Sequence, residues 1–340
     1  MERYLLDFVP EAARRGIRSD VLTLFERERG RLAGDFEAIG CRVFPCHVLR
    51  NRGRLRSGLL SALEESGADV VHSHVGELSG DPLRVYRGAR LKALVAQAHD
   101  MGGVGGWKLG WYRALSRRWT LRHATRLLAV SPEAGRRLAG RSGRDVRIVP
   151  VGLDLDKWRP DPAARAARRE ELGVGEDTRL LLHVGRFDSV KNHPFLLRVM
   201  GRLKGQGFPA VAAFVGGGLV LGRVESLVRQ MVLGDHVRLL GPREDVAELM
   251  NAADLLLLPS RSEGLPRVLL EASAVGLPFL ATANADLEGV FPGGCQLPVD
   301  SAERWADDIV KRLERGREPV RALIDLSITR AVDQTLEAYG

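Results

Sequence analysis

Two glutamates, Glu263 and Glu271, are separated by seven residues within LLLLPSRSEGLPRVLLEASAVGLPFLAT, the stretch from Leu255 to Thr282. Carboxylates can accept hydrogen bonds from sugar or ribose hydroxyls. Beside an anion-binding loop they need such neutral partners, because they repel a phosphate. Leu255 to Leu258, ending in Pro259, have the unbroken apolar character of a buried parallel strand. Pro266 suits the first turn of a following helix, and Gly276 with Pro278 stops it. The loop Ser260 to Leu265 thus joins the carboxyl end of a strand to the amino end of a helix. Unpaired N–H groups and the helix dipole favour a phosphate there, and open α/β sheets bind their ligands there. Glu263 falls in the loop and Glu271 more than a turn into the helix, so the two reach different parts of one extended ligand. Taken alone, the pair fits equally an ordinary βαβ unit with one loop and one surface glutamate.

A second strand-end loop lies about 75 residues upstream, in RLLLHVGRFDSVKNHPFLLRVM. Leu180 to Val184 read as a buried strand and Pro194 to Met200 as a helix, with Gly185, Arg186, Lys191 and Asn192 in the connection. Arg186 offers a planar fork of donors and Lys191 a compact charge. Two cations on one such loop suit a diphosphate better than a carboxylate and make a metal ion unnecessary. The plain alternative is a solvated basic surface loop.

Together these segments resemble the family 4 glycosyltransferases (group 1, retaining, GT-B type). The resemblance rests on Gly185-Arg186-Phe187 with Lys191-Asn192, on Phe214-Val215-Gly216-Gly217-Gly218 and on Val237-Arg238-Leu239-Leu240-Gly241. It continues through Ala253-Asp254, Pro259-Ser260 and Glu263-Gly264-Leu265-Pro266 to Glu271-Ala272 and Gly276-Leu277-Pro278. Order and spacing match from about residue 145 onward. The resemblance implies that Arg186 and Lys191 hold the donor's diphosphate, that Glu263 approaches the transferred sugar and that Glu271 binds the ribose. It implies a donor site made of Gly185, Arg186, Lys191, Gly216, Arg238, Leu239, Glu263, Gly264, Leu265, Pro266 and Glu271, with catalytic roles for Glu263, His99, Arg186 and Lys191.

The elements that must position these residues follow from length and pattern. The chain of 340 residues suits two domains, each able to bury a core. Apolar runs alternate with helical patterns, which predicts α/β layers with parallel sheets, and no short repeat or low-complexity tract interrupts them. The expected fold is two Rossmann-like parallel-sheet domains facing across a cleft (GT-B). Residues 1–150 would form an acceptor-side domain, 151–162 a linker and 163–322 a nucleotide-sugar-binding domain, with residues 323–340 a helix crossing back to the first. The linker VPVGLDLDKWRPDP is turn-rich. Where the family often carries Asn-Gly-Ile-Asp, this chain has Val151-Gly152-Leu153-Asp154, which removes one amide from that turn.

The chain opens MERYLLDFVPEAARRGIRSDVLTL, a helix followed by a strand near Asp20 to Leu24. In enzymes of the family an opening strand and a Gly-Gly loop precede a glutamate at the start of this helix, and Glu2 fits that glutamate. The first strand of the N-terminal domain is therefore expected to be missing, with Met1 an internal methionine of a longer reading frame. The alternative is a divergent form that has lost activity. Further along, His72 and His74 lie on one face of a strand begun at Asp69, spaced as metal ligands can be, but no further ligand cluster accompanies them. His99, at the end of the strand Leu94 to His99 and followed by Asp100, Gly102 and Gly103, resembles the family's histidine facing the sugar. A satisfied strand-end histidine is the other reading.

The formal net charge is +8, and the positive charge is uneven. From Lys108 to Arg147 there are one lysine and ten arginines against Glu133 and Asp145, interleaved with Trp111, Tyr112 and Trp119. A basic, aromatic helix can lie on an anionic bilayer, each cation being worth about 1 kcal/mol, which would bring the enzyme to a lipid-linked acceptor. The other reading is a solvated helix with its tryptophans in the core. No nucleic-acid recognition motif is present. Cys41 and Cys46 lack the spacing of a zinc or thioredoxin motif, Cys46-His47 is weakly ligand-like, and three cysteines in all suit a reducing cytoplasm. No run approaches a membrane span and no signal peptide is visible, so a cytoplasmic protein is expected, with the inner face of the membrane as its place of contact.

The expected activity is that of a hexosyltransferase moving a sugar from a nucleotide-diphosphate sugar, with UDP as the family's commonest carrier. The acceptor would be a glycan or lipid-linked, in cell-surface polysaccharide or glycolipid synthesis. The resemblance implies retention of configuration, with no covalent nucleophile and with the departing diphosphate taking the acceptor's proton. Closure of the domains would exclude water. A sugar-nucleotide epimerase and a non-catalytic GT-B partner subunit are the alternatives.

Overall fold

The computed structural model describes residues 2–23, 32–46, 52–99 and 107–340, with side chains at all of them except Glu2, 52–54 and 107–109. His47, Asp100, Gly102, Gly103 and Leu24 from the sequence reading lie outside the described residues. The chain divides into two compact units, one formed by Met1–Asp154 with Asp325–Gly340 and the other by Leu155–Ile324.

The first unit contains parallel strands β1 (Val21–Thr23), β2 (Val43–Pro45), β3 (Val70–Ser73), β4 (Ala93–Ala98), β5 (Arg126–Ala129) and β6 (Arg147–Ile148). Its helices are α1 (Glu2–Ala13), α2 (Ala33–Ala38), α3 (Arg52–Ser66), α4 (Gly80–Tyr86), α5 (Trp107–His123) and α6 (Pro132–Ala139). β1 pairs with β2 in a two-stranded sheet, and β3, β4, β5 and β6 form a separate four-stranded sheet in that order. Leu59, Leu83, Ala96 and Leu127 pack on one side of the larger sheet, and Val9, Phe36 and Val43 beside the smaller one.

The first part of the basic stretch, from Lys108 to His123, lies in α5, which carries no acidic residue. Ser116 and Thr120 turn inward beside Gly80, whereas Arg118 and Arg122 are exposed and Trp111 is 72% exposed. The alternative that put the tryptophans in the core therefore fails for Trp111. The Arg84 guanidinium sits 4.7 Å from the Trp119 ring centre, and among the described residues Arg118 and Arg122 make no ion pair. No described helix is long and apolar enough to cross a membrane.

The second unit follows the sequence pattern closely. Its strands are β7 (Arg179–Val184), β8 (Ala210–Val215), β9 (Val237–Gly241), β10 (Leu255–Leu258), β11 (Phe279–Thr282) and β12 (Gln296–Leu297). Between them run α7 (Pro162–Glu171), α8 (His193–Gly205), α9 (Leu221–Gln230), α10 (Val246–Ala252), α11 (Arg267–Ala274) and α12 (Ala302–Glu314). In α12 the apolar residues Ala302, Trp305, Ala306, Ile309 and Leu313 fall on one face and are buried against Phe195, Leu196 and Val199 of α8, as helical periodicity requires. Asp161 and Ser301 cap α7 and α12 by accepting from Ala164 N and Arg304 N.

All six strands are parallel, in the order β12-β11-β10-β7-β8-β9. The chain leaves β7 toward β8 and β9, then crosses to the other side for β10, β11 and β12. β7 and β10, in register at Leu182 and Leu256, therefore flank the point where the winding reverses. Loops after these two strands diverge and leave a crevice at their carboxyl ends. Asp254, just before β10, accepts from Leu180 N at 2.8 Å and pairs with Arg165 at 2.6 Å and Arg169 at 3.0 Å. Burial alone would raise its carboxyl, but these donors hold it below the ordinary value.

The final helix, α13 (Ile328–Leu336), belongs to the first unit. It is shorter than the span from residue 323 expected from sequence, because Ser327 caps it by accepting from Arg330 N, while Leu323 N bonds Val290 O in the second unit. Arg15 on α1 joins Asp333 at 2.6 Å and Glu11 at 2.7 Å, and Thr329 donates to Glu11 at 3.0 Å.

Candidate active site

The two loops singled out in the sequence follow β7 and β10, on either side of the winding reversal, and backbone bonds join them. Gly185 N donates to Val215 O at 3.0 Å, Phe187 N to Gly217 O at 2.9 Å, and Gly216 N to Gly241 O at 2.8 Å. Gly216 and Gly218 adopt φ of +139° and +155°, and a Cβ on them would stand 2.0 Å from Gly185 O and 2.4 Å from Phe187 O. Only glycine lets this loop lie against the first. Across the reversal, Arg261 N donates to Val190 O at 2.8 Å. Asn192, left-handed at φ +56°, donates from Nδ2 to Pro259 O at 3.3 Å.

This stitching brings together residues from the two loops. Lys191 Nζ lies 2.6 Å from Glu263 Oε1, with the two side chains only 19% and 16% exposed. Arg186 projects outward, its side chain 80% exposed, with Asp188 3.5 Å away. Glu263 N donates to Asn284 O at 3.4 Å and Asp286 N to Gly264 O at 3.2 Å, so the loop after β11 braces it from behind. Gly264, Leu265 and Pro266 are buried at the start of α11, with Pro266 as its N-cap. One turn into the helix, Glu271 Oε1 accepts from Arg267 Nε at 2.8 Å.

Beneath the loop lie two buried imidazoles. His183 donates from Nδ1 to Leu257 O at 2.9 Å, and its Nε2 has no hydrogen-bond partner. His193 stacks on Phe187 at 4.1 Å with neither ring nitrogen bonded. Burial pushes His183 down to about 3 and His193 down to about 4, so both are neutral at physiological pH.

Arg238 and Leu239 lie in edge strand β9, where Arg238 Nε donates to Leu172 O at 3.3 Å. His99 belongs to the first unit, just beyond β4. Its Nε2 is 2.9 Å from His74 Nδ1, the His74 ring stacks on His72 at 4.0 Å, and His72 Nδ1 meets the Tyr339 hydroxyl at 2.8 Å. Burial pulls His74 to about 3, and His72 and His99 well below the ordinary value. Among the described residues no group of three or more His, Cys, Asp or Glu is arranged to hold a metal ion. A cavity of about 510 Å³ between α8 and the start of α12, lined by Arg198, Arg202, Met231 and Glu303, includes none of the candidate residues.

Sequence reasoning missed both ion pairs. Arg267 was readable, because it stands four residues before Glu271 on a helix. Lys191 with Glu263 was not, since that contact depends on how two loops far apart in sequence are tied.

A family model described as Glycosyl transferases group 1 matches residues 164–319, and one described as Glycosyltransferase Family 4 matches residues 1–157. EpsF of Bacillus subtilis (strain 168), which carries a glycosyltransferase name, is 34% identical over 274 residues, covering 78% of this chain and 71% of EpsF. The D-inositol 3-phosphate glycosyltransferase of Geodermatophilus obscurus is 32% identical over 332 residues, covering 86% and 72%. Among solved structures, that of Anabaena HepE in complex with UDP and glucose superposes with a TM-score of 0.76 at 18% identity, covering 99% of this chain and 91% of that one. The chain therefore belongs to glycosyltransferase family 4, the group 1 glycosyltransferases, and has the GT-B fold with two Rossmann-like parallel-sheet units. It is a glycosyltransferase of class EC 2.4, and neither the epimerase nor the partner-subunit reading is favoured.

Proposed function

We propose that the second unit binds a nucleotide-diphosphate sugar, with UDP as carrier, at the crevice between the loops after β7 and β10, and that the sugar passes with retention to a glycan or lipid-linked acceptor. The observation that carries this reading is the Lys191–Glu263 contact at the winding reversal, which sets a cation for the diphosphate beside a carboxylate for sugar hydroxyls. Family membership and the likeness to HepE, whose structure holds UDP and glucose, support it. Exposed Arg186 is the second cation for the diphosphate and Glu271 the acceptor for ribose hydroxyls. Each such donor to the charge on the leaving diphosphate is worth about 3 kcal/mol, or roughly a hundredfold in rate. Arg238 and Leu239 offer edge-strand backbone to the base. His99 is assigned to the transferred sugar through the family resemblance alone, and no step needs a metal.

The role in cell-surface polysaccharide or glycolipid synthesis follows from a lipid-linked acceptor. The acid-free α5, with Trp111, Arg118 and Arg122 turned outward, supports peripheral contact with the anionic inner face of the membrane. The donor reading is tested by thermal unfolding with UDP, GDP and ADP. A nucleotide at a hundred times its dissociation constant adds about 2.7 kcal/mol. Stabilisation by UDP that disappears in Arg186→Ala/Lys191→Ala is expected. A folded protein that none of the three stabilises would refute the site.

A further inference from the structure

We propose that Arg267 is a positioning residue for nucleotide recognition, holding the Glu271 carboxylate in the orientation that accepts the ribose. The inference rests on the donor reading above. Arg267 is the first residue of α11 and Glu271 stands one turn later, with Nε and Oε1 2.8 Å apart and the side chains 19% and 12% exposed.

Helix stability alone does not call for this arrangement. A cation in the first turn faces the positive end of the helix dipole, and an arginine preceding its glutamate by four residues is the weaker of the two orders. A residue that works against local preference at a ligand-binding loop points to the ligand. The site supplies the reason, because Glu271 must stay ionised and in one rotamer close to where a diphosphate binds. A guanidinium held against it offsets the repulsion and restricts the carboxylate before the nucleotide arrives. Lys191 stands toward Glu263 in the same way, so each carboxylate of the pair has its own cation.

The test compares the dissociation constants of UDP, 2′-deoxy-UDP and 3′-deoxy-UDP for the wild type, Arg267→Met, Arg267→Lys and Glu271→Gln. In the wild type, loss of the recognised hydroxyl is expected to weaken binding about tenfold or more, the range for a hydrogen bond to a charged group. Glu271→Gln and Arg267→Met should both collapse that ratio to within about threefold, while the deoxy nucleotide that lacks the recognised hydroxyl binds them as it binds the wild type. Arg267→Lys should recover part of the discrimination. Equal weakening of all three nucleotides in Arg267→Met would mean that Arg267 only supports the fold or touches the phosphates, and would overturn the proposal. A ratio kept in Arg267→Met but lost in Glu271→Gln would overturn it while leaving the donor reading intact. No ribose preference in the wild type would remove the role of Glu271 itself, and the proposal with it.

Discussion

Lowering the pH from 7 to 5 should weaken the second unit beneath its loops by an amount set by two imidazoles. His183 and His193 are fully buried and held by burial at about 3 and about 4, against 6.5 for the exposed group. Below pH 6.5 the unfolded chain takes up protons that the folded one refuses. The stability is therefore complete above about pH 7 and falls as the pH drops toward 4 for His193 and 3 for His183. Each histidine contributes about 1.4 kcal/mol per pH unit in that window, or about 2 kcal/mol at pH 5 and about 4 kcal/mol for the two. His193→Phe isolates one of them. Neither nitrogen of His193 is hydrogen-bonded and its ring already stacks on Phe187, so the phenyl ring should be neutral or stabilising by about 1 kcal/mol at pH 7. At pH 5 it should abolish half of the acid loss. Because His72, His74 and His99 of the first unit have the same sign, a global melt would mix the two units. Hydrogen exchange of peptides spanning 179–205, followed through urea at each pH, separates them. If His193→Phe kept the whole acid loss, the imidazole would not be neutral in the folded state and the reasoning would fail.

Two further outcomes are expected. Gly216→Ala would drive a Cβ into Gly185 O, so it should cost at least about 2 kcal/mol of stability and remove stabilisation by UDP, seen in the same thermal assay. Sedimentation with vesicles containing anionic lipid should carry down the wild type at low salt and lose Trp111→Ser/Arg118→Ser/Arg122→Ser, while neutral vesicles bind neither. Equal binding of both proteins to the anionic vesicles would remove α5 from the contact.

Much of the second unit was legible because its signals are local. The four leucines of β10 and the apolar run of β7, each short and bounded by turn residues, read as buried strands, and the Pro and Gly residues around α11 mark its ends. Glu263 and Glu271 could be assigned to different parts of one ligand because one stands in the loop and the other inside the helix. The Lys191–Glu263 contact was not legible, since it arises from the Arg261–Val190 and Asn192–Pro259 bonds between loops about 70 residues apart. The first unit was harder to read. The pattern gives the strand of β1 after its opening helix but neither β2 nor their separate two-stranded sheet, and His74 meets His99 only through pairing of β3 with β4. The last helix was placed too early, since the Leu323 backbone bonds to Val290 and the Ser327 cap starts the helix at Ile328.

The return of residues 325–340 to the first unit has a consequence for the order of synthesis. The second unit is one uninterrupted segment, Leu155–Ile324, and all of it emerges from the ribosome ahead of α13. It can therefore assemble its sheet while the first unit still lacks the Asp333 and Thr329 partners of Arg15 and Glu11 and the Tyr339 hydroxyl beside His72. During that interval the earlier-made unit waits on the last segment of the chain, and the second unit is the first whose contacts are all present outside the ribosome.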